Sequence, residues 1–553
     1  MPESAGPAVR GVTAMAGLLD AVVVGAGFAG IAMVHKLREL GFSVHGFEAG
    51  DGPGGTWYWN RYPGARCDSE AMYYSFSFLP DVEQEWPLLE RYPAQPVILD
   101  YLEHVTGRLG LREHFTFGAR VESISYDREA RVWRLRTDAG IDATARFVVT
   151  AVGCLSAANV PDLPGADSFA GMSVHTASWP HTPVSFSGKR VGVVGTGASG
   201  IQAIPVIAAR ARQLTVFQRT AQYTVPANNG LLDPSFVALW KRNYPEWRRR
   251  GRESMGGFPY AVSDISALEV SPEQRTAIFE AGWRSGGVNF GLGTFNDLLV
   301  DEDANQTAVE FVQGKIDEIV HDPSVASVLK PTGFPFGTKR LPFDTGYYQT
   351  YNRPNVTLVD LRRTPITEID RAGIRTSAAH YDLDMIVYAT GFDAMTGPLL
   401  SLGITGRGGV SLADAWAHGP VTYLGLSVPE FPNLFTITGP GSPSVLSNMP
   451  VSIEQHAEWI ARCLAYLRSR GVESIEATPE AAAAWTRHVE DVAHLTLYPK
   501  AESWFTGANI PGKARVFLPY AGGVGNYRAR CDRVAARGYQ GFTLRGSEGH
   551  VTP

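Results

Sequence analysis

The chain has 553 residues, enough for on the order of two to four domains, and its 44% hydrophobic and 19% charged residues are ordinary for a globular enzyme. Its net charge of −6 argues against a general nucleic-acid or anionic-membrane binder, and no apolar stretch is long enough to span a bilayer. The four cysteines form neither a CxxC pair nor a metal-ligand cluster, which predicts a reducing cytoplasm, no metal and no dithiol–flavin reductase chemistry.

The first predicted unit is a strand, a glycine loop of the type GxGxxG and a helix. The apolar run 21–24 precedes the loop, whose glycines are Gly25, Gly27 and Gly30. Such glycines allow a tight turn and let backbone N–H groups approach a pyrophosphate at the helix N-terminus. The next apolar strand, 44–47, ends at Glu48, where a carboxylate would bind ribose hydroxyls and repel a 2′-phosphate. This site therefore predicts FAD or NAD, with a solvated strand end as the plain alternative for Glu48.

A second unit of the same kind follows the apolar run 191–194. Its loop contains Gly195, Thr196, Gly197, Ser199 and Gly200. The following strand, 214–217, leads into Arg219 and Thr220, and a guanidinium group suits a 2′-phosphate. This unit predicts an NADP site, although Arg219 could also be a solvated strand end. Two such loops in one chain indicate that electrons pass between two dinucleotides.

The texture of the sequence changes between 231 and 330, where amphipathic helical stretches follow one another. One of them begins with a capping box at 271–274 that carries proline at the first helical position. Strand-like segments return at 356–359 and 385–388, and the second leads into the segment 389–393. The spacing therefore predicts a helical insertion within the second nucleotide unit.

Two long sequence patterns carry a resemblance to a known family. The segment between the two units matches FxGxxxHxxxWP at Phe169, Gly171, His175, Trp179 and Pro180. The pattern [AG]GxWxxxx[FY]P[GM]xxxD is met from Gly54 to Asp68. The chain resembles the type I Baeyer–Villiger monooxygenases over nearly its full length. Within that family it is most similar to the branch of phenylacetone and steroid monooxygenases.

The resemblance implies an α/β protein with two Rossmann-like domains, one for FAD and one for NADP, and a helical insertion. The expected boundaries are a flexible N-terminal tail (1–17), an FAD-binding domain (18–155 and 381–545), an NADP-binding domain (156–230 and 331–380) and the insertion (231–330). The implied reaction is NADPH- and O2-dependent conversion of ketones to esters or lactones through a C4a-peroxyflavin, with sulfoxidation as a side activity. The expected partners are a small ketone and O2, with no nucleic acid or membrane.

The family chemistry assigns the catalytic role to Arg340, held in place by Asp68. A fixed cation shielded from solvent would keep the oxygenated flavin anionic and stabilise the oxyanion of the substrate adduct. Arginine suits this role because it stays protonated when desolvated. The plain alternative is a structural salt bridge between domains. For His175 and Trp179 we favour packing where the domains join over direct chemistry.

Further site residues are implied by the resemblance alone. For FAD these are Thr56, Trp57, Asp68, Tyr74, Val121, Gly391 and Met449, and for NADP they are Lys339, Arg340 and Trp504. The expected substrate pocket contains Ser69, Phe343, Val445 and Met449. Ordinary packing is the alternative for Tyr74, Val121, Met449 and Trp504.

Two other functions compete with the main prediction. A flavin-containing monooxygenase acting on nitrogen or sulfur would end the FxGxxxH segment with tyrosine or phenylalanine in place of Trp179-Pro180. A non-catalytic NADP-sensing flavoprotein would have no need to retain Arg340 and Asp68. We expect a cytoplasmic monomer, with a weak dimer as the alternative.

Overall fold

The computed structural model describes residues 13–15, 17–546 and 551–552. Its largest sheet has nine strands and includes the two strands of the first nucleotide unit. Seven of them follow one another in the order Ile404–Thr405, Val121–Asp127, Val132–Thr137, Ile141–Thr150, Leu19–Val24, Val44–Phe47 and Phe115–Thr116. Thr13–Ala14 and Leu434–Thr436 also pair with Ile141–Thr150, both in parallel.

The second sheet has five strands, and all of its pairings are parallel. Their order is Val356–Asp360, Gln213–Gln218, Arg190–Val194, Met385–Tyr388 and Met172–His175. The central strands of a parallel sheet are buried on both faces, which is why Arg190–Val194 and Met385–Tyr388 consist almost entirely of buried apolar residues. The two sheets confirm the predicted α/β class with two Rossmann-like units.

The strand pairing differs from the expected division at two places. The strand Met385–Tyr388 pairs with Val191–Val194, so the second sheet extends past residue 381, where we placed the return to the first domain. The sequence of a four-residue apolar strand does not indicate which sheet the strand joins, because its sheet is set by pairing with strands far away in the chain. In the expected tail, Thr13–Ala14 form a strand against Ile141–Asp142, whereas residues 1–12 and 16 lie outside the described residues.

Each nucleotide unit places a helix directly after its glycine loop. These helices are Phe28–Glu39 and Ala198–Ala208. The long helix Met449–Ser469 packs with Phe28–Glu39 in one apolar cluster, so the chain returns to the first domain after the second. Other helices of this domain are Thr56–Trp59, Pro80–Glu85, Gln95–Arg108, Pro479–His494 and Val524–Ala536.

The segment between 231 and 330 is helical, as the sequence predicts. Its helices are Pro234–Arg242, Tyr244–Glu253, Pro272–Ser285, Val288–Gly293, Glu302–Ile319 and Pro323–Leu329. The capping box at Ser271 is present, with Ser271 and Gln274 each bonded to the backbone of the other. Phe279, Phe290 and Phe295 form the core of this layer.

Smaller elements complete the fold. Short helices lie at Tyr347–Thr350, Gly397–Leu400 and Leu412–Ala415. The remaining strands form small sheets: Val225–Pro226 with Phe343–Asp344, then Ile366–Ile369 with Gly373–Thr376 and His380–Asp382, and Val472–Ala477 with Phe542–Gly546 and Val551–Thr552. Among the helices of the described residues, none is both long and apolar enough to cross a membrane.

Candidate active site

The two glycine loops share one backbone geometry. Gly25 has a φ of +107°, and a Cβ atom there would lie 2.6 Å from the carbonyl oxygen of Ala151. A Cβ atom at Gly30 would lie 1.8 Å from the carbonyl oxygen of Gly25. The second loop repeats both restrictions: Gly195 has a φ of +106°, and a Cβ atom at Gly200 would lie 2.3 Å from the Gly195 carbonyl oxygen. Only glycine fits these positions, so the loops are built for close approach of backbone to a ligand.

The helices that follow the loops begin with free N–H groups. Gly27 and Gly197 are the N-cap residues, and within the described chain no side chain caps either helix. The first N–H groups of a helix have no internal partner and attract anions. Each glycine loop and the first turn of the helix after it form what we call a cradle: the first cradle is at Gly25–Gly30 and the second at Gly195–Gly200. Both cradles fit the pyrophosphate of a dinucleotide.

Glu48 lies at the first loop, as the sequence predicts. Its Oε2 accepts a hydrogen bond from the Ala26 amide at 2.7 Å, and its Oε1 accepts one from the Gly50 amide at 2.8 Å. Burial raises the pKa of Glu48, and these two backbone N–H groups lower it in part. The carboxylate is thus fixed beside the glycine loop, and each oxygen keeps a lone pair for a ribose hydroxyl.

The expected flavin-contacting side chains lie next to this loop. Trp57, in the short helix Thr56–Trp59, donates a hydrogen bond from Nε1 to Tyr74 Oη at 3.2 Å. The ring of Phe28, the first residue of the loop helix, packs edge-on against Tyr74 at 5.2 Å. Met449 begins the helix that packs on this unit. These contacts place an aromatic wall beside the first dinucleotide cradle.

Two further predicted flavin residues, Val121 and Gly391, differ in their surroundings. Val121 is 4% exposed and packs with Ile124 and Leu135 in a core cluster. This is the ordinary packing role that we gave as the alternative to flavin contact. Gly391 has a φ of +79°, and no atom lies within 4 Å of the position a Cβ would take. Its backbone is thus presented to open space at the end of the strand Met385–Tyr388.

Arg340 and Asp68 form a bidentate ion pair. Nε of Arg340 donates to Oδ2 at 3.0 Å and Nη2 donates to Oδ1 at 2.7 Å. The remaining guanidinium nitrogen, Nη1, donates a hydrogen bond to the Val445 carbonyl oxygen at 2.6 Å. The two side chains are 34% and 27% exposed, so the pair is partly shielded from solvent.

The ion pair keeps the guanidinium charged. Burial alone would lower the pKa of Arg340, but the Asp68 carboxylate outweighs burial and the pKa is raised. Cys67 and Tyr74 lie close enough to act on the same guanidinium. The cation is therefore held in one orientation, beside the aromatic wall of the first cradle.

The segment before Asp68 docks the first domain on the second. Tyr62 Oη donates to Gln202 Oε1 at 2.8 Å, and Gln202 Nε2 donates to the Arg66 carbonyl oxygen at 3.1 Å. A Cβ atom at Gly64 would lie 2.3 Å from the Gln202 carbonyl oxygen, which requires glycine there. This contact places Asp68 at the domain junction, within reach of Arg340.

The FxGxxxHxxxWP segment lies beside the two chain segments that connect the domains, which contain Asn159 and Thr390. His175 Nδ1 accepts a hydrogen bond from the Ala177 amide at 3.0 Å, which puts the ring proton on Nε2. Nε2 then donates to Thr390 Oγ1 at 3.1 Å, and Thr390 Oγ1 donates to the Asn159 carbonyl oxygen at 2.6 Å. Burial lowers the pKa of His175, so the ring is neutral. This network supports a role in joining the linkers.

The other residues of that segment are packing positions. Trp179, followed by Pro180, is 6% exposed and lies 6.3 Å from the Phe186 ring. A Cβ atom at Gly171 would lie 2.5 Å from Cζ of Phe169 and 2.6 Å from the Asp384 carbonyl oxygen. Glycine is required there because the chain passes between a ring and a backbone.

A group of cations lies at the second cradle. Arg219 follows the strand Gln213–Gln218 and is exposed, and Thr196 Oγ1 donates to the Thr220 carbonyl oxygen at 3.0 Å. Burial lowers the pKa of Lys339, and the neighbouring charges of Arg219 and Arg362 lower it further, to about 8. Three cations brought together in this way fit a phosphate dianion.

Arg362 was missed by the sequence analysis. Its neighbour Leu361 donates a backbone hydrogen bond to the Gln218 carbonyl oxygen at 2.8 Å, which places Arg362 beside the Arg219 end of the next strand. A basic residue after the strand 356–359 is the signal in the sequence. It becomes informative only once that strand is known to pair with the one before Arg219.

Of the expected pocket residues, Val445 contacts Arg340 through its carbonyl oxygen, and Ser69 directly follows Asp68. Ser69 is 5% exposed, and Phe343 packs against Tyr92 at 5.5 Å between ring centroids. Trp504 is half-buried and begins a short 3-10 helix, with its ring 4.4 Å from that of Phe505.

The loop after Trp504 is anchored to the linker that follows Thr390. Asn509 Nδ2 donates to the Phe392 carbonyl oxygen at 2.7 Å, and Lys513 Nζ donates to the Ala394 carbonyl oxygen at 2.7 Å. Lys513 also pairs with Asp393. The loop thus spans from the C-terminal part of the chain to the linker between domains.

Comparison with known proteins gives consistent matches. The family model for pyridine nucleotide-disulphide oxidoreductase matches residues 22–235. A Baeyer-Villiger monooxygenase of Pseudooceanicola batsensis is 44% identical, covering 94% of this chain and 95% of its own length. The phenazine N-monooxygenase of Lysobacter antibioticus is 43% identical, covering 95% and 97%. An oxidized steroid monooxygenase bound to NADP has a TM-score of 0.91 at 53% identity, covering 96% and 99%.

The two cradles and the matching family model define a flavoprotein oxidoreductase that uses a pyridine nucleotide. The four cysteines are all buried and unpaired with one another, so the chain lacks the dithiol for which that family model is named. Identity above 40% over nearly the full length then shows that the chain belongs to the Baeyer–Villiger monooxygenase family. The family prediction and the FAD and NADP predictions are confirmed.

Proposed function

We propose that the protein uses NADPH and O2 to convert ketones to esters or lactones, placing one oxygen atom in the product and the other in water. The observation that carries this proposal is the Arg340 guanidinium, held by Asp68 and the Val445 carbonyl at the domain junction. Bound FAD, once reduced, supplies the activation of O2. The residues of the chain supply binding, charge and exclusion of water.

The cofactor sites divide between the two cradles. The first glycine loop and Glu48 would hold FAD, with the Trp57–Tyr74 pair beside it. The second loop would hold NADP, with Arg219, Thr220, Lys339 and Arg362 around the 2′-phosphate. This arrangement would bring the two cofactors together at the junction that contains Arg340.

Arg340 would act as a fixed positive charge that is partly shielded from solvent. Negative charge develops on the ketone oxygen as the carbonyl carbon is attacked, and a preorganised donor there lowers the barrier. Because Asp68 raises the pKa of Arg340, the cation persists at any pH the enzyme meets. Phe343, Val445 and Met449 would present an apolar wall to the rest of the ketone.

The decisive experiment measures ketone-dependent NADPH consumption by the FAD-loaded protein under 18O2. We expect a panel of cyclic, aromatic and steroidal ketones to include substrates that yield an ester with one labelled oxygen. NADPH consumption in the absence of ketone serves as the uncoupled control. If every ketone left consumption and products unchanged, the proposed reaction would be wrong.

A second candidate is oxidation of nitrogen or sulfur centres. The similarity to a phenazine N-monooxygenase favours including it, since that relative matches over nearly the whole chain. The same assay with phenazine and an aryl thioether distinguishes the activities by their products, an N-oxide or a sulfoxide. We expect sulfoxidation as a side activity that is slower than ester formation.

Arg219 tests the coenzyme assignment. Replacing it by Ala should raise the KM for NADPH much more than that for NADH, because only NADPH carries the phosphate. Arg212→Ala is the matched control, since Arg212 is an exposed arginine just before the other end of the same strand. Equal effects on both coenzymes would remove Arg219 from the phosphate site.

We further propose that the enzyme works in the cytoplasm as a monomer, with a weak dimer as the alternative. Four free, buried thiols support a reducing compartment. Light scattering on the FAD-loaded protein over a range of concentrations gives the mass directly. A constant mass near 59.9 kDa is expected for a monomer.

A further inference from the structure

A small apolar cavity lies behind the aromatic wall of the first cradle. It has a volume of about 70 Å³ and lies between the segment 86–94 and the helix Gln95–Arg108. Its wall is mainly hydrophobic and includes Val82, Trp86, Leu88, Val97 and Ile98. Tyr74 lines it on the side of the cradle, and Leu89, which is 60% exposed, lines it on the side of solvent.

The charged groups of the wall are already engaged. Glu83 accepts a hydrogen bond from Arg248 Nε at 2.7 Å, and Arg248 Nη2 donates to Ser75 Oγ at 2.7 Å. Glu90 pairs with Arg66 at 3.0 Å. Within the described chain, no lining residue has a fully buried side-chain nitrogen or oxygen without a partner. A mainly hydrophobic wall favours an apolar occupant.

The size of the cavity selects small molecules. An apolar cavity of about 150 Å³ in another protein admits benzene or xenon, whereas a water molecule needs roughly 10–15 Å³. At about 70 Å³ this cavity is too small for a cyclic or aromatic ketone and large enough for diatomic molecules. A cyclic or aromatic ketone would therefore bind elsewhere, and none of the proposed pocket residues Ser69, Phe343, Val445 and Met449 lines this cavity.

The position of the cavity connects it to the oxygen chemistry. Tyr74 faces the cavity and also receives the Trp57 hydrogen bond on the cradle side. Asp68 and Arg340 lie close enough to act on the pKa of Tyr74, so the ion pair is near the same ring. We infer that this cavity is a binding site for dioxygen on its way from solvent to the reduced flavin. The inference rests on the proposed function, which requires O2 at that cofactor.

Xenon is the probe for occupancy. Crystals of the FAD-loaded protein pressurised with xenon should show an anomalous peak between Tyr74 and Val97. Val97→Phe should remove the peak by filling the cavity, and Val97→Ala should strengthen it while disturbing packing little. Absence of a peak in the wild type would overturn the inference.

The kinetic arm measures the reaction of reduced flavin with O2 by stopped flow. Val97→Phe should lower this second-order rate constant severalfold and leave flavin reduction by NADPH unchanged. Val160→Phe is the matched control, because Val160 is 62% exposed and does not line the cavity. A folded Val97→Phe protein that excludes xenon and still reacts with O2 at the wild-type rate would overturn the inference. Ester formation by the wild type tests the proposed function separately.

Discussion

If Lys339 binds the 2′-phosphate of NADPH as proposed, its titration makes coenzyme binding depend on pH. Its ammonium group lies 4.1 Å from the centre of the Phe334 ring. Burial, followed by the charges of Arg219 and Arg362, lowers the pKa of Lys339 to about 8. A phosphate dianion placed among these cations favours the charged form of Lys339. The affinity for NADPH should therefore fall as the pH rises through 8.

The magnitude follows from the fraction of free enzyme that carries the proton. At one pH unit below the pKa about ten in eleven molecules are protonated, and at one unit above it about one in eleven. If only the protonated form binds the phosphate well, the KM for NADPH rises about tenfold between pH 7 and pH 9, which is about 1.4 kcal/mol. The phosphate itself titrates near pH 6 and so stays doubly charged over this range.

The assay is the KM for NADPH and for NADH measured from pH 7 to pH 9.5 at constant ionic strength. NADH lacks the phosphate, so its KM should change little. Lys339→Arg is the control that keeps a permanent charge, and it should flatten the NADPH profile. A flat profile in the wild type, or parallel profiles for the two coenzymes, would refute the assignment of Lys339 to the phosphate.

Three further predictions concern catalysis, the first cradle and the thiols. Arg340→Ala should leave flavin reduction by NADPH intact and lower ester formation by about 10²–10³-fold, as when one preorganised donor is lost; a normal ester yield in product analysis would contradict its role. Gly30→Ala should abolish retention of FAD in the purified protein, because the new Cβ would lie 1.8 Å from a carbonyl oxygen, whereas Gly291→Ala, with no atom within 4 Å, should retain it. The four cysteines are buried, and burial raises the pKa of each thiol, so an aromatic disulfide reagent should react with them only on unfolding. Rapid reaction with the native protein would show that a thiol is accessible.

Local spacing made much of the fold predictable. The two glycine loops, the strands before them and the capping box at Ser271 depend on residues within one turn or one strand of each other. Backbone restrictions of this kind depend on residues that are close together in the sequence, so they can be predicted from it. The boundary at 381 could not be found in the same way, since the strand Met385–Tyr388 is assigned by its pairing with Val191–Val194.

The candidate site shows the same division. Arg340 and Asp68 were named together through the family resemblance, because 272 residues separate them and no local pattern relates them. The Val445 carbonyl that accepts from the remaining guanidinium nitrogen, Nη1, has no signal in the sequence at all. Arg362 was missed because its relation to Arg219 arises only when their two strands pair.

The sequence by itself determined that this protein binds two dinucleotides and belongs among flavin monooxygenases, because glycine geometry and motif spacing are local properties of the chain. Only the tertiary structure decided how charges and spaces are arranged around those cofactors: the orientation of Arg340, the lowered pKa of Lys339 and the cavity behind Tyr74. Each of these depends on burial and on neighbours from distant segments, and such neighbours are set by packing of the whole domain.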